Sequence, residues 1–530
     1  MTRRDYFLLY LAATVFYAVL TLIVRAPGYM DAEYYYAGGI QLVSGHGLFE
    51  PYLWNYLSSP GSLPVHAFSY WMPLSSYVAA AGMWLSKSPA FAAARLIFIL
   101  AAGLIPLITA KMAEDISPRK GSGWLAGSIA LFSAYYLIHL TTTDSFVLMM
   151  ILGSAFLYLV PKVLENTVTN KIWLAVMGFG VVSGLLHLAR TDGILWFFAG
   201  FSLLLLRDFG LLKKPSLPFY KSIVILLVFV ASYLLVMGSW YWRNLSAFQS
   251  LFPPGNNLML FAVEYNDIFF FKTADLGLPR LMEAGIGAFS LARVKALFSN
   301  LLSFIGVNGS ILLSPFIVIG LWQTRRSSRT RVAVVIVLLI LALMSIVFPF
   351  AGTRGGFFHS MAAFQPFFWS LVPLGLLKCI ELGVQKRKWQ LNRSWKLLGT
   401  TFLAAVSIVS ILVFMQKLNS SDMTGIPWNE SLDNIRSSNQ EIVQLTGDQD
   451  SVIMVNDPPG YWLATERRAV VVPSDSLESL LTAATKFNVR FVIIEQDNRT
   501  ILEELTLKPA LAQRLNLISG NEETAIYEIQ

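Results

Sequence analysis

Long apolar runs separated by short polar connectors fill residues 1–416. A helix needs about 20 apolar residues to cross the hydrocarbon layer of a bilayer. By that rule the sequence predicts about eleven membrane spans, near residues 6–24, 90–111, 122–140, 144–160, 172–189, 193–206, 222–241, 296–322, 332–350, 358–380 and 397–416. The first run is too long for a signal peptide and lacks a small-residue cleavage pattern, so we expect it to remain as an anchor.

Two connectors are much longer than the others. Residues 25–89 are rich in Tyr, Trp, Pro, Gly and Ser, and residues 244–295 carry a Pro-Pro-Gly turn and several acids. Loops of this length in a compact protein are usually functional or disordered, and the aromatic content argues against disorder. Within the first loop, residues 73–85 predict an interfacial helix that begins at a proline.

The tail of the chain follows a different pattern, in which short β-branched runs alternate with helical periods. Strands are predicted at 452–455, 469–472, 489–494 and 525–529, and helices at 432–445, 476–487 and 501–515. This alternation is typical of a small α/β domain. The sequence therefore predicts a polytopic α-helical membrane domain over residues 1–416 and an α/β domain over residues 417–530.

Charge divides unevenly between these two parts. Of the net charge of +8, residues 1–416 carry +16 and residues 417–530 carry −8. The basic residues of the first part lie in alternate connectors, as expected of cytoplasmic loops, so they are no sign of nucleic-acid binding. An odd number of spans then predicts a multi-pass protein of the cell membrane with a cytoplasmic amino terminus and an extracytoplasmic tail. The single cysteine, Cys379, excludes an internal disulfide.

The stretch from Gly28 to Tyr36 places two acids and four tyrosines where the first predicted span leaves the lipid. Ionisable residues near membrane depth are costly and therefore mark candidate functional sites. We interpret Asp31 as a general base, because a partly desolvated carboxylate that shares an outer cavity with Glu33 can accept a proton. The alternative is that Asp31 caps the helix that follows it.

Other polar and aromatic residues are expected to face the same cavity. The candidates for substrate binding are Glu33, Tyr35, His66, Trp71, Asp144, Arg190, Asp192 and His359. Three of these residues have simpler structural explanations. Asp144 follows two threonines and can cap the fourth span. Arg190 and Asp192 can form an ion pair that closes the turn between two spans.

Two arginines are candidates for binding a phosphate group. Arg354 precedes Gly355 and Gly356, and glycines let the backbone approach a ligand closely beside a cation. The planar guanidinium presents a fork of donors that suits phosphate. Arg243 follows the aromatic stretch Trp240–Trp242, where a snorkelling arginine in an interfacial belt is an equally good interpretation.

The sequence leaves metal dependence open. His66, Glu33 and His359 could approach each other, but no spacing matches a recognised metal motif. The tail contains neither a glycine-rich phosphate loop nor a cysteine and histidine cluster. The space outside a membrane supplies no ATP or nucleotide sugar, so an enzyme there needs a substrate that is activated elsewhere and delivered in lipid.

These stretches resemble the GT-C glycosyltransferases. The resemblance is carried by Asp31-x-Glu33-Tyr-Tyr, the Arg190-x-Asp192-Gly turn, Trp240-Tyr-x-Arg243-Asn, Leu53–Tyr56, Ser69–Leu74, Arg354–Ser360 and Val455–Pro459. The sequence is most similar to the bacterial branch related to protein O-mannosyltransferases and to the aminoarabinose transferases that modify lipid A. The metal-associated Glu and His of the aminoarabinose branch have no residue-by-residue match here.

The resemblance implies transfer of one sugar from a polyprenyl-phosphate carrier to a protein, lipid or glycan acceptor on the outer face. Asp31 matches the catalytic base of the family, and Arg243 or Arg354 would bind the lipid phosphate.

Two other functions stay open. A transporter or flippase of lipid-linked sugars is expected to show an internal repeat or paired half-helices near the midplane, whereas the charges here gather at one face. A polysaccharide polymerase or ligase shares the large outer loops.

Overall fold

The computed structural model describes residues 1–164, 170–208, 218–420, 426–521 and 524–530. Within these ranges, nine helices are long and apolar enough to cross a membrane, and a pair bent by 43° makes ten if it counts as one span. The prediction of a polytopic helical membrane protein is confirmed. The helices up to the second long loop are α1 (Arg3–Ile23), α2 (Met30–Val43), α3 (Leu74–Ser86), α4 (Phe91–Ala94), α5 (Leu96–Ala102), α6 (Leu104–Ile116), α7 (Ser122–Phe132), α8 (Phe146–Val163), α9 (Asn170–Ala189), α10 (Ile194–Asp208) and α11 (Phe219–Phe248).

The remaining helices of the membrane part include several short segments. They are α12 (Pro254–Leu258), α13 (Leu278–Glu283), α14 (Gly285–Ser303), α15 (Ser314–Thr324), α16 (Ser328–Ala342), α17 (Pro349–Ala351), α18 (Phe357–Met361), α19 (Gln365–Arg387) and α20 (Leu391–Asn419). Helices α17 to α19 form one candidate span that is interrupted at Gly352–Gly356 by a π-helical segment. Helix α10 matches the predicted span near 193–206, but its 15 residues rise only about 22 Å and fall short of the hydrocarbon thickness.

The predicted single span near residues 296–322 is wrong, because the chain breaks in its middle. Helix α14 begins earlier, at Gly285, and continues through a π-helical turn to Asn308 before the separate helix α15. Ser310 and Ile311 in the gap adopt left-handed φ angles of 46° and 52°. Residues with a side chain rarely adopt this conformation, and it cannot continue a right-handed helix.

The first long loop contains helix α2, which was not predicted. Tyr29 occupies the N-cap position without a side-chain hydrogen bond, and Asp31 is the second residue of the helix, in its first turn. The interpretation of Asp31 as the N-cap is therefore wrong. Helix α2 packs closely on α3, since a Cβ at Gly38 would lie 2.6 Å from Ser76 Oγ. Helix α3 matches the helix predicted at residues 73–85.

The tail forms most of a six-stranded sheet, with helices connecting its strands. After three short strands in the first loop, β1 (Phe49–Glu50), β2 (Tyr52–Leu53) and β3 (Val65–His66), the tail contributes α21 (Ser431–Thr446), β4 (Val452–Val455), α22 (Pro458–Thr465), β5 (Ala469–Val471), α23 (Leu477–Phe487), β6 (Val489–Glu495), α24 (Arg499–Leu507), α25 (Pro509–Ala512), β7 (Leu515–Gly520) and β8 (Thr524–Ile529). All four predicted strands are present, which confirms the α/β character. Strand β7 and helix α22 were not predicted.

One strand of this sheet comes from the first long loop. The strand order is β2-β5-β4-β6-β8-β7, with β2 parallel to β5. Tyr52 is paired with Ala469 and Leu53 with Val470. The first loop and the tail therefore share one sheet.

The start of the tail also fixes the turn between α1 and α2. Asn429 Oδ1 accepts a hydrogen bond from the backbone N–H of Arg25 at 2.7 Å, and its Nδ2 donates to the carbonyl of Ile23 at 2.9 Å. Trp428 Nε1 donates to the carbonyl of Ala26 at 3.1 Å. These bonds hold the entry to α2, the helix that carries Asp31.

Candidate active site

A cavity of about 340 Å³ opens between helix α2, the two long loops and the interrupted span. Its polar wall contains Asp31, Arg190, Asp192, Arg354 and His359. Its aromatic wall contains Tyr35, Trp54, Tyr70, Trp71 and Tyr265, and its apolar wall includes Leu343, Met344, Phe348 and Ala351. Polar groups from distant parts of the chain thus meet beside a hydrocarbon-like surface.

Helix geometry decides which residues of α2 reach the cavity. Asp31 and Tyr35 are four residues apart, so they share a face, and both line the cavity.

Glu33 lies two residues from Asp31 and points to the opposite side. It is 1% exposed, and its Oε1 accepts a hydrogen bond from Ser431 of the tail at 3.2 Å. Burial, together with nearby Asp457, raises the pKa of Glu33 well above its ordinary value. Glu33, predicted to bind substrate, is therefore not among the residues that line the cavity.

Asp31, Asp144 and His359 form one cluster. His359 Nε2 lies 2.9 Å from Asp144 Oδ2 and 3.6 Å from Asp31 Oδ2. His359 Nδ1 donates to the carbonyl of Gly355 at 2.9 Å, which fixes the orientation of the ring. The three side chains come from α2, from the turn before α8 and from α18, so only the folded bundle brings them together.

The two carboxyl groups of this cluster differ in protonation. Burial, followed by the charge of Asp144, raises the pKa of Asp31 to about 6, although His359 and Arg190 oppose this. Burial also acts to raise the pKa of Asp144. The charge and hydrogen bond of His359 oppose this, as does the Tyr29 hydroxyl, which donates to Asp144 Oδ2 at 2.6 Å, and the pKa of Asp144 lies below its ordinary value. Asp144 therefore remains ionised while Asp31 can exchange a proton near neutral pH.

Asp144 is not simply a helix cap. It accepts a hydrogen bond from the adjacent backbone N–H of Ser145, which is itself the N-cap residue of α8. Its other oxygen receives both His359 and Tyr29. The side chain is 1% exposed, so Asp144 does not line the cavity. It holds His359 in place by accepting its hydrogen bond.

The turn after α9 carries an ion pair that also faces the cavity. Arg190 Nε lies 2.9 Å from Asp192 Oδ1. Gly193 closes the turn tightly, since a Cβ there would lie 2.1 Å from the carbonyl oxygen of Leu186. Asp192 Oδ2 is buried and accepts no hydrogen bond from the described part of the chain. The ion-pair interpretation is correct.

Arg354 lies at the interruption of the span and lines the cavity. The next residue, Gly355, has a φ angle of 116°, which residues with a side chain cannot adopt without strain. This turn lets Arg354 leave the helix axis, and its guanidinium lies 4.5 Å from the ring centroid of Tyr265 in the second long loop. Tyr265 was not identified from the sequence.

Two predicted ligands lie outside the cavity. Arg243 donates to Asn244 Oδ1 and to the carbonyl of Ala67, and its guanidinium lies over the rings of Trp240 and Phe248. These contacts hold the first loop against α11, and Arg243, predicted as a phosphate ligand, is not among the residues that line the cavity. His66 is the exposed residue of strand β3 and packs beside Phe49, outside the residues that line the cavity.

The aromatic wall is built around a pair of stacked indoles. Trp54 and Trp71 lie 4.0 Å apart with an angle of 13° between their planes, and Tyr34 packs edge-on against Trp71. Trp71 was predicted to contact substrate, whereas Trp54 and Tyr70 were not. The high aromatic content of residues 25–89 was the available signal, but it did not indicate which rings face inward.

The cluster of Asp31, Asp144 and His359 could hold a metal ion. One ligand atom from each residue lies within 4.8 Å of the other two. Two carboxylates and an imidazole whose second nitrogen donates to a backbone carbonyl are a donor set that suits divalent metals. His359 is thus the one of the three predicted metal candidates that lies in this group; Glu33 and His66 lie outside it.

The comparisons with solved structures give the fold. One similar structure is the archaeal oligosaccharyltransferase AglB from Archaeoglobus fulgidus, in complex with an inhibitory peptide and a dolichol-phosphate. The alignment covers 98% of this chain and 73% of the AglB chain, with 13% sequence identity and a TM-score of 0.51. Its complex with Zn and sulfate covers 97% and 72% at 13% identity, with a TM-score of 0.55. ArnT from Cupriavidus metallidurans bound to undecaprenyl phosphate covers 99% and 98% at 12% identity, with a TM-score of 0.51.

Neither the protein-family models nor the curated proteins give a match to the sequence. The structural similarity extends over nearly the whole chain, including the tail. The chain therefore has the GT-C fold, as the sequence resemblance implied.

Proposed function

We propose that this chain is a membrane glycosyltransferase that moves a single sugar from a polyprenyl-phosphate carrier to an acceptor hydroxyl on the outer face of the membrane. The observation that carries this proposal is the position of Asp31, a carboxylate with a raised pKa that faces two arginines and an aromatic wall in one cavity. Two proteins that share the fold support the carrier class, since one is bound to undecaprenyl phosphate and the other to a dolichol-phosphate.

The cavity offers separate surfaces to the three parts of such a donor. Arg354 and Arg190 provide positive charge for the phosphate. Leu343, Met344 and Phe348 form an apolar surface for the first prenyl units. The sugar would pack on the Trp71 face, beside Arg190 and Asp192.

The reaction would be a single displacement with inversion. The acceptor oxygen attacks the anomeric carbon, its proton passes to Asp31, and the bond between the anomeric carbon and the phosphate oxygen breaks. The electron pair of that bond leaves with the polyprenyl phosphate, so no general acid is required. Fixed positive charge beside the departing phosphate lowers the barrier, and Arg354 and Arg190 supply it.

A purified sample given a labelled prenyl-phosphate monosaccharide tests the reaction. Release of the free carrier phosphate together with a glycosylated acceptor supports transfer. Movement of the intact donor across a liposome would instead identify a flippase. Products with several added sugars would identify a polymerase or a ligase that acts on glycans. Trials with a peptide, a lipid and a glycan identify the acceptor class.

The raised pKa of Asp31 predicts the pH dependence of the reaction. The base is active only as the carboxylate, so kcat/KM should fall about tenfold per pH unit below pH 6, the region of the Asp31 pKa. Replacing Asp144 with asparagine removes a negative charge that raises the Asp31 pKa and should move this fall to lower pH. An acid limb that stays in place in the Asp144→Asn variant would contradict the assignment.

A divalent metal fits the cluster of Asp31, Asp144 and His359. Such an ion would supply positive charge near the departing phosphate when bound. The ligand atoms would be one carboxylate oxygen from each of Asp31 and Asp144 and one imidazole nitrogen from His359.

Metal analysis by mass spectrometry of the purified protein should find about one Mn²⁺ or Zn²⁺ per chain after incubation and dialysis. The His359→Ala variant should bind far less. A His66→Ala variant is the matched control, because His66 lies outside the cluster, and it should bind as much metal as the native chain. Equal metal content in the His359→Ala variant would exclude this site.

A further inference from the structure

One segment of the tail, residues 469–475, contacts both long loops. On the side of the first loop, strand β5 pairs with β2 at Tyr52 and Leu53. The Tyr56 hydroxyl donates to the carbonyl of Val471 at 2.5 Å. Trp54 lies between these two attachments and lines the cavity. Its position on the aromatic wall is therefore tied to the tail on both sides.

The second loop is attached to the end of the same segment. Ser474 Oγ donates to the carbonyl of Asn266 at 2.6 Å. The carboxylate of Asp475 accepts hydrogen bonds from the backbone N–H groups of Phe271 and Lys272 at 3.3 and 3.2 Å. Tyr265, which contacts Arg354, immediately precedes this attached stretch.

The two attached loops also contact each other. The ring of Tyr56 packs edge-on against that of Phe271, with their centroids 5.2 Å apart. Within the second loop, buried Asp267 forms an ion pair with Arg280 at 2.5 Å and accepts the backbone N–H of Val263 at 2.7 Å. A displacement at Asp475 would therefore be transmitted to Tyr265 through an ordered loop.

We infer that residues 469–475 are a positioning element for the donor site. They hold Trp54 and Tyr265, which come from two different loops, in their places on the wall of the cavity. This inference rests on the proposed function. It assigns the tail a role inside the reaction cycle without placing any tail side chain in contact with the reacting atoms. Since both positioned residues face the donor, their displacement should weaken donor binding more than it slows the chemical step.

The test replaces Asp475 with alanine in the full-length protein. The substitution removes two hydrogen bonds to the second loop and one from Ser479 Oγ within the tail. It should raise the KM for the prenyl-phosphate sugar about tenfold, with kcat changed by less than about threefold. Hydrogen exchange measured by mass spectrometry should increase in residues 263–272 and stay unchanged in α8. The Asp475→Asn variant keeps one acceptor oxygen, so it should restore part of both effects.

Tyr56→Phe tests the attachment of the first loop, the hydrogen bond from the Tyr56 hydroxyl to the carbonyl of Val471. It keeps the inference testable if the Asp475 variants fail to fold. It removes a single hydroxyl and should raise exchange in residues 50–57 and the donor KM together. Asp497→Ala is the matched control, because Asp497 is an exposed acid of the tail, and it should change neither quantity. Unchanged exchange in the Asp475→Ala variant, or raised exchange with an unchanged donor KM, would overturn the inference. Exchange needs no turnover, so its result stands even if the native chain transfers no sugar.

Discussion

Replacing Asp31 with asparagine is expected to lower the rate of sugar transfer by about 10²- to 10⁴-fold, the usual contribution of a general base. Asparagine keeps the shape of the side chain but cannot accept the acceptor proton. The substitution also removes one of the two carboxylates near His359 Nε2. The measurement is single-turnover transfer from a labelled donor at a saturating concentration, so that a loss of donor affinity does not contribute.

Glu33→Gln is the matched control for this substitution. Glu33 lies two residues away on the same helix, also carries a carboxyl group, and faces the tail instead of the cavity. The amide keeps the volume of the side chain, so the variant should transfer sugar at close to the native rate. Wild-type transfer by the Asp31→Asn variant, or equal losses in the two variants, would show that Asp31 is not the base.

Replacing Arg354 with alanine is expected to lower kcat by about 10²- to 10³-fold, in the range reported for single preorganised electrostatic groups. The guanidinium lies in the cavity at the interruption of the span, where the charge of the departing phosphate develops in the proposed reaction. Arg354→Lys keeps the charge and loses the planar fork of donors, so it should recover part of the rate.

Arg25→Ala is the control for the loss of positive charge at this end of the bundle. Arg25 is exposed and lies in the turn before α2, so its removal should change the rate by less than about twofold once salt screens surface charge. A comparable loss in both alanine variants would mean that the general potential of the surface matters, and not the position of Arg354.

The membrane spans were predictable because the bilayer imposes a simple rule on composition and length. Runs of apolar residues predicted eight of the nine helices that are long and apolar enough to span the membrane among the described residues. The same rule failed at residues 296–322, where left-handed backbone at Ser310 and Ile311 breaks a predominantly apolar run. Hydropathy reports what lipid tolerates and does not report backbone conformation.

The residues of the site were easier to predict than their grouping. Asp31, Asp144, Arg190 and His359 were identified because charges near membrane depth are costly. Their association depends on the packing of distant helices, which no local pattern encodes. Glu33 was misplaced for a simpler reason. Without helix α2 in the prediction, two acids separated by one residue could be expected to face the same cavity, whereas a helix turns them apart.

The role of Arg243 shows the limit of residue type as evidence. An arginine beside aromatic residues at the end of a span fits a phosphate ligand and a packed structural cation equally well. The contacts of the guanidinium with the carbonyl of Ala67 and with two aromatic rings favour the packed structural cation. Those partners come from the first loop and from α11, and only the structure brings them together.

The pairing of β2 with β5 has a consequence for biosynthesis. The hydroxyl of Tyr56 and its acceptor on Val471 are separated by 415 positions in the chain, so the ribosome needs roughly 20–80 s between making the two. During that interval an aromatic-rich loop has left the membrane without the strand that orders it. Products truncated before residue 469 would insert their helices, bury the apolar spans and still lack an ordered donor pocket.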